Sequence, residues 1–176
     1  LVNAGVYGPR TSNLREPPTC EQFDLVMHTN VLAPMRFIPI VAPLLSATRG
    51  TLALMSSRMG SISETGASYG MLYRTSKAAE NMLARIAHAE LSGLGVRVLA
   101  LHPGWVRTDM GGPNADVGVD VSVAGLRRVA PVPEDPERHA VGDGGEGLEL
   151  LVEAPVVVVH VPCSTRLRPG RLTRTR

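Results

Sequence analysis

The feature that most constrains this sequence is an apolar run, a helical pattern and a second apolar run, in that order. Residues 51–56 and 96–101 are short and mostly apolar, as strands are when a parallel sheet is covered on both faces. Between them, residues 69–91 carry apolar side chains at helical spacing: Ala79, Met82, Leu83, Ile86, Ala87 and Leu91. Gly93 and Gly95 then end the helix. We therefore predict an α/β unit of two adjacent parallel strands joined by a helix.

Three side chains that can take part in proton transfer lie within this unit. Ser57 follows the first predicted strand, and Tyr73 and Lys77 lie four residues apart, on one face of the predicted helix. A phenol has an ordinary pKa of about 10, and a nearby ammonium favours its ionised form. Taken alone, a tyrosine four residues before a lysine is more often a half-buried tyrosine beside a surface lysine. With Ser57 in place, the pattern indicates a proton-transfer site.

The order of these residues resembles the short-chain dehydrogenase/reductase family, and its carbonyl reductases in particular. In that family Ser-x-x-Gly and then Tyr-x-x-x-Lys carry the chemistry, and here Ser57 to Gly60 and Tyr73 to Lys77 match them. Three further stretches match in family order: Asn3-Ala4-Gly5, Asn30 within a predicted helix, and Pro103-Gly104 after the second strand. Five signals in the same order identify the chain as a member of the family.

The resemblance implies a role for each matched residue. Tyr73 is the acid/base, Lys77 lowers its pKa and binds the nicotinamide ribose, and Ser57 orients the substrate oxygen. Asn30 positions a relay water, because Pro34 has no N–H to donate to the Asn30 carbonyl. The implied cofactor contacts are Asn3, Ala4, Gly5, Tyr73, Lys77, Pro103, Gly104, Val106 and Thr108.

The activity that the resemblance implies is the interconversion of an alcohol and a carbonyl by hydride transfer. The implied cofactor is NAD or NADP, without a preference, and the implied partner is a small-molecule alcohol or carbonyl substrate. Family members commonly form dimers or tetramers through the helices that correspond here to residues 19–46 and 69–91. We therefore expect the full-length parent to be a homo-oligomer.

The resemblance covers residues 1–130, which correspond to the second half of a family domain. The chain begins with Leu1 inside an apolar run, and this indicates a fragment. The family's first strands carry the glycine-rich loop that cradles the cofactor pyrophosphate, and they have no counterpart here. We predict a partial doubly wound parallel sheet, Rossmann-like and lacking its first strands, that is inactive as a fragment.

Residues 131–176 differ in composition from the rest of the chain. They contain a proline cluster at 131–136, a glycine-rich stretch at 142–147 and five arginines between 166 and 176. We predict an irregular Pro/Gly/Arg-rich tail that is disordered or lies outside the family. Before the tail, residues 116–129 predict a last helix whose apolar face carries Val119, Val123 and Leu126.

Composition narrows the classes of function. A net charge of +2 is too small to indicate a nucleic-acid partner, and the histidines are too scattered to indicate a metal site. Two alternatives to an enzyme remain at this point. One is a non-catalytic fragment that acts as an interaction surface, and the other is a nucleic-acid-binding module with a basic tail.

The expected location is the cytoplasm, without a membrane contact. The longest apolar stretch, 37–47, is interrupted by Pro39 and Pro43, and it is shorter than the roughly 20 residues that a membrane helix needs. No export signal is recognisable. Cys20 and Cys163 lie far apart and fit a reducing compartment.

Overall fold

The computed structural model describes residues 1–129, 149–153 and 156–160. The described residues form four α-helices and four strands. They are α1 (Cys20–Met27), α2 (Ala33–Thr48), β1 (Thr51–Met55), α3 (Met71–Leu91), β2 (Arg97–His102), α4 (Val119–Val129), β3 (Glu149–Glu153) and β4 (Val156–His160). A π-helical turn, His28–Leu32, joins α1 to α2, and short 3₁₀ turns lie at Arg58–Gly60 and Ser92–Leu94.

The sheet has the strand order β1-β2-β4-β3. Strands β1 and β2 are parallel, in a register from Thr51 opposite Arg97 to Met55 opposite Leu101, and this confirms the predicted pair. On the other side of β1, Val2 forms a parallel bridge to Leu54. The segments after Val2, β1 and β2 therefore all leave the sheet at its carboxyl edge.

Helices cover both faces of this sheet, because alternate strand residues point to opposite sides. One core cluster joins α2 and α3 to the sheet through Ile38, Leu52, Leu54, Leu83, Ala84, Ala87, Leu91, Val96, Val98 and Ala100. On the opposite face, Leu126 and Val129 of α4 pack against Ala53, Leu99 and Leu101. The arrangement confirms the predicted α/β class and its partial, doubly wound sheet.

The predicted apolar face of α3 is only partly correct. Leu83, Ala87 and Leu91 are buried as expected, but Met82 and Ile86 are 61% and 48% exposed. The buried residues of α3 lie on one side of the helix, and these two residues do not lie on that side.

The predicted apolar face of α4 is likewise only partly correct, since Leu126 packs against the core. Val119 and Val123 are exposed, whereas Ser122 and Gly125 are buried and Leu126 is half-buried. Small residues allow the helix to lie close to the chain beneath it, and the Ser122 hydroxyl donates a hydrogen bond to the Pro103 carbonyl at 2.7 Å. Close approach and a hydrogen bond therefore decide the orientation of α4.

Two strands lie within 131–176, for which the sequence predicts an irregular tail. Strand β4 runs parallel to β2, with Leu99 opposite Val157, and β3 runs antiparallel to β4. The four valines at 156–159 have a high β propensity. These strands were not predicted from the sequence, and the other residues of 131–176 lie outside the described residues. The domain division at residue 130 stays a prediction.

The outer face of α2 is apolar and uncovered. Phe37, Ile40 and Leu44, which we call the outer face, are all exposed. The continuous helix from Cys20 to Thr48 has 29 residues and a window of mean hydropathy 1.6, so it is long and apolar enough to cross a membrane. This is weak evidence for a membrane span, because core helices of soluble proteins meet the same criteria.

Candidate active site

Helix α3 positions Tyr73 and Lys77 on its buried face, where they are 8% and 3% exposed. A glycine brings the chain after β1 against this helix. A Cβ atom at Gly60 would lie 2.6 Å from the Lys77 backbone carbonyl carbon, so no larger residue fits there without movement. The turn Arg58–Gly60 therefore packs directly on α3. This contact explains why the serine and the glycine are three residues apart, and it brings Ser57 to Tyr73.

The phenol of Tyr73 is enclosed by aromatic and polar neighbours. The Tyr7 ring stacks on it, with 4.5 Å between centroids and 17° between planes. Burial raises the pKa of Tyr73 to about 12, a hydrogen bond with the Ser57 side chain lowers it, and the charges of Glu80 and Tyr7 raise it. In the structure the phenol thus holds its proton at neutral pH.

The Lys77 ammonium is held by two acceptors. Its Nζ donates to the Met55 carbonyl oxygen at 2.8 Å and to Glu80 Oε2 at 2.7 Å. It lies 5.7 Å from the centroid of the Tyr73 ring. The side chains of Lys77 and Glu80 are 4% and 1% exposed, so this ion pair is buried. Burial raises the pKa of Glu80, and the Lys77 charge partly offsets this.

Asn30 fastens the N-terminal segment to the helices. Its side chain is fully buried; Oδ1 accepts from the Val6 N–H at 2.8 Å, and Nδ2 donates to the Val6 carbonyl and to Ser76 Oγ, each at 2.9 Å. A Cβ at Gly5 would lie 3.5 Å from Lys77 Nζ. The backbone of Gly5 therefore passes directly beside the ammonium. The relay water predicted for Asn30 stays a prediction.

The segment after β2 leaves the same edge of the sheet. Gly104 has a φ of +87°, in the left-handed region that favours glycine, and Val106 bridges to Val117. Thr108 Oγ1 donates to the Val106 carbonyl at 3.3 Å and accepts from the Gly111 N–H at 3.1 Å. These hydrogen bonds shape the loop after Pro103.

The structure brings five of the predicted site residues into one cluster. These are Gly5, Asn30, Ser57, Tyr73 and Lys77. Asn3 and Ala4 are exposed and lead into Gly5. The structure places the remaining predicted cofactor contacts, Pro103, Gly104, Val106 and Thr108, in the loop that follows β2.

Two residues of the site, Tyr7 and Glu80, were not predicted from the sequence. Glu80 lies three residues after Lys77 and seven after Tyr73, so helical spacing puts all three on one face, and an acid on that face was a usable signal. Tyr7 lies in the irregular segment before Gly8, which has a φ of +74°. No sequence period predicts where the Tyr7 ring lies.

Comparison with known proteins gives the family. The model of the family described as short chain dehydrogenase matches residues 1–116. The chain belongs to this family. Among curated relatives, the C-signal protein of Myxococcus xanthus is 41% identical over 101 residues, which are 57% of this chain and 61% of that protein. A Rhodococcus 1-hydroxy-2-glutathionyl-2-methyl-3-butene dehydrogenase is 41% identical over 91 residues, 50% of this chain and 40% of that protein.

Solved structures show the same short-chain dehydrogenase fold. A short-chain dehydrogenase/reductase from Burkholderia multivorans with bound NADP has a TM-score of 0.68 and 37% identity, and covers 73% of this chain. The NADPH-bound carbonyl reductase from chicken fatty liver has a TM-score of 0.65 and 33% identity, with the same coverage. The match covers 55% of each of these two chains, so this chain spans about half of their length.

Proposed function

We propose that this chain carries the catalytic residues of an NAD(P)-dependent oxidoreductase that interconverts an alcohol and a carbonyl group in a small molecule. The observation that supports it most is the buried contact of Ser57, Tyr73 and Lys77 at the carboxyl edge of a parallel sheet. Family membership and the carbonyl reductases among the structural neighbours support the same class of reaction.

The residues present fit the nicotinamide end of such a cofactor. At Gly5 the missing side chain keeps the Lys77 ammonium approachable, because a Cβ there would lie 3.5 Å from Nζ. Two structural neighbours are described with bound NADP or NADPH. Lys77 would hold the ribose hydroxyls, and the backbone at Asn3-Ala4-Gly5 and the loop of Pro103, Gly104, Val106 and Thr108 would hold the nicotinamide. When bound, the cofactor supplies or accepts the hydride.

Tyr73 would exchange a proton with the substrate oxygen. With a pKa of about 12 the phenol is protonated at neutral pH, and this is the form that donates a proton to a carbonyl oxygen as it becomes an alcohol. Ser57 would hold the same oxygen by a hydrogen bond. The Lys77 ammonium would stabilise the phenolate that remains after transfer. Asn30, which fixes Val6 and Ser76, would keep the site in shape and hold a relay water through its carbonyl.

We also propose that the parent protein assembles as a homo-oligomer through its helices. The outer face of α2 presents Phe37, Ile40 and Leu44 to solvent, and α3 presents Met82 and Ile86. Contiguous exposed apolar side chains of this size are typical of protein–protein contacts. Sedimentation analysis of the protein tests this part of the proposal.

The catalytic proposal is tested in a chimera. Residues 1–116 of this chain would replace the matching half of the Burkholderia multivorans relative, whose first half supplies the strands that carry the pyrophosphate loop. We expect NADPH-dependent carbonyl reduction, and we expect Tyr73→Phe to lower kcat by about 10²- to 10⁴-fold, the contribution of general acid–base groups.

The matched control is Tyr69→Phe, which removes the same hydroxyl from an exposed tyrosine four residues earlier. It should leave kcat unchanged. A folded, NADPH-binding chimera in which both variants have the same kcat would refute the assignment of Tyr73.

A further inference from the structure

The buried pair of Lys77 and Glu80 has a consequence for Tyr73. A lysine that stabilises a phenolate must present its positive charge to the phenol. Here the ammonium whose Nζ lies 5.7 Å from the centroid of the Tyr73 ring also donates to Glu80 Oε2 at 2.7 Å. Both side chains are almost completely buried, so water screens the pair little, and the carboxylate opposes the effect of the ammonium on the phenol.

No other charged side chain is hydrogen-bonded to this pair in the part of the chain that the structure describes. Strand β1 contributes only the Met55 carbonyl, which accepts from Lys77 Nζ. Besides Lys77, the titratable groups that face Tyr73 are Glu80 on its own helix and Tyr7 on the N-terminal segment, while Ser57 contributes a hydroxyl. Glu80 Oε1 has no hydrogen-bond partner among the described residues, so the carboxylate is held mainly by Lys77.

We propose that Glu80 is a positioning residue that offsets part of the effect of the Lys77 ammonium on the phenol and thereby, together with burial, keeps Tyr73 in its proton-donating form. Two of the three ammonium N–H groups are fixed by Met55 and Glu80, which leaves one for a ligand hydroxyl. The consequence for catalysis rests on the proposed function: Glu80 favours reduction of a carbonyl at neutral pH, and it moves oxidation of an alcohol, which needs the phenolate, to higher pH.

The test measures the ionisation of Tyr73 without any cofactor. The 176-residue chain has three tyrosines, so a sample labelled at tyrosine ¹³Cζ gives three resonances, which Tyr7→Phe and Tyr69→Phe assign. We expect the wild-type Tyr73 resonance to remain protonated at about pH 10, where an ordinary tyrosine is half ionised. In Glu80→Gln the amide oxygen still accepts from Lys77 but carries no charge. The dissociation constant of Tyr73 should then rise about tenfold or more, the usual effect of an uncancelled nearby charge.

Two control variants separate charge from structure. Glu80→Asp keeps the carboxylate and should titrate like the wild type. Glu90→Gln removes a carboxylate from an exposed position of the same helix and should leave Tyr73 unchanged. An unchanged Tyr73 titration in folded Glu80→Gln would overturn the proposal, as would an equal change in Glu90→Gln.

If Glu80→Gln does not fold, the double variant Lys77→Met/Glu80→Met takes its place. Because the two charges offset each other at the phenol in this proposal, removing both should leave the Tyr73 titration close to that of the wild type. A change of about tenfold or more in the dissociation constant of Tyr73 in the double variant would overturn the proposal. The result is independent of catalysis. An inactive chimera with a shifted Tyr73 in Glu80→Gln would refute the proposed function alone, and an active chimera without that shift would refute only the role of Glu80.

Discussion

The site buries polar side chains, whereas the outer face of α2 exposes apolar ones. At the site, Asn30, Lys77 and Glu80 are buried, and each of them is hydrogen-bonded within the chain. On the outer face, Ile40 and Leu44 are 70% and 69% exposed. Burying polar groups costs free energy unless each finds a partner, whereas exposed apolar groups cost little until another surface covers them. The stability of the chain should therefore depend strongly on the site and weakly on the outer face.

The largest expected effect is that of breaking the buried ion pair. Lys77→Met leaves the Glu80 carboxylate without its partner, and such a change costs about 3–5 kcal/mol of unfolding free energy. Urea denaturation followed by circular dichroism measures it. The double variant Lys77→Met/Glu80→Met removes both charges and should recover most of the loss, because an apolar pair of similar volume is often neutral. A loss of less than about 1 kcal/mol of unfolding free energy in Lys77→Met would show that water screens the ion pair as it screens an exposed one.

Removing the Asn30 side chain should come next. Asn30→Ala leaves the Val6 N–H and carbonyl without their Asn30 partner, at about 1–3 kcal/mol for each group that stays unpaired, while the Ser76 hydroxyl still donates to the Tyr73 carbonyl. Asn114→Ala, at an exposed turn position, is the control and should change little. Thermal unfolding of both variants measures the effect. Equal melting temperatures would contradict the conclusion that the Asn30 side chain fastens the N-terminal segment to the helices.

A methyl group at Gly60 should also destabilise the chain. In Gly60→Ala the new Cβ meets the Lys77 backbone at 2.6 Å, and overpacking of this kind typically costs about 1–3 kcal/mol. Gly66→Ala is the matched control, because nothing lies within 4 Å of a Cβ there. Destabilisation by Gly66→Ala of the same size would mean that the loop, and not the contact with α3, sets the effect.

The raised pKa of Tyr73 predicts a loss of stability at high pH. As the pH rises above about 10 the unfolded chain releases the phenol proton, while the folded chain keeps it up to about 12, so folding becomes less favourable in this window. At about pH 11 the wild type should have lost about 1.4 kcal/mol relative to Tyr73→Phe, which lacks the proton. Urea titrations of both chains between pH 8 and about pH 11 measure the difference. A difference that does not change with pH would mean that Tyr73 titrates as an ordinary tyrosine.

The smallest effect on stability is expected at the outer face. Ile40→Glu places a charge where the side chain is already in water, so the free energy of unfolding of the isolated chain should change by about 0.5 kcal/mol or less. The same substitution should dissociate an oligomer that uses this face, and sedimentation velocity would detect it. If Ile40→Glu destabilised the monomer as much as Lys77→Met does, stability would depend equally on the outer face and on the site, and this would contradict the account.

The parts of the fold that follow from a regular period could be predicted from the sequence. The parallel pair of β1 and β2 and the helix between them follow from two apolar runs and a 3.6-residue pattern. The contact of Ser57 with Tyr73 follows from the strand end and the helix face that carry them. The resemblance to a family added the order of five signals, and this order distinguished the site from a chance tyrosine and lysine.

Other features of the fold and the site depend on contacts between elements, and the periodicity of the sequence does not predict these contacts. Met82 lies in the apolar pattern of α3 but outside the core, since docking on the sheet selects one side of the helix. Gly125 is buried in α4 although the predicted apolar face does not include it, whereas Val123 of that face is exposed, because close approach matters more there than hydrophobicity. Glu80 lies on the site face, but its pairing with Lys77 becomes visible only when both side chains are placed.

The central claim is that Tyr73 carries the proton while Lys77 also holds the cofactor. Parallel measurement of kcat and of NADPH affinity by fluorescence titration, in Tyr73→Phe and Lys77→Ala of the chimera, tests it most directly. We expect Tyr73→Phe to lose at least about a hundredfold in kcat with an affinity close to that of the wild type, because the phenyl ring fills the same space. Lys77→Ala should weaken both quantities. Retention of more than about a tenth of kcat by Tyr73→Phe, against the factor expected of an acid–base group, would contradict the claim.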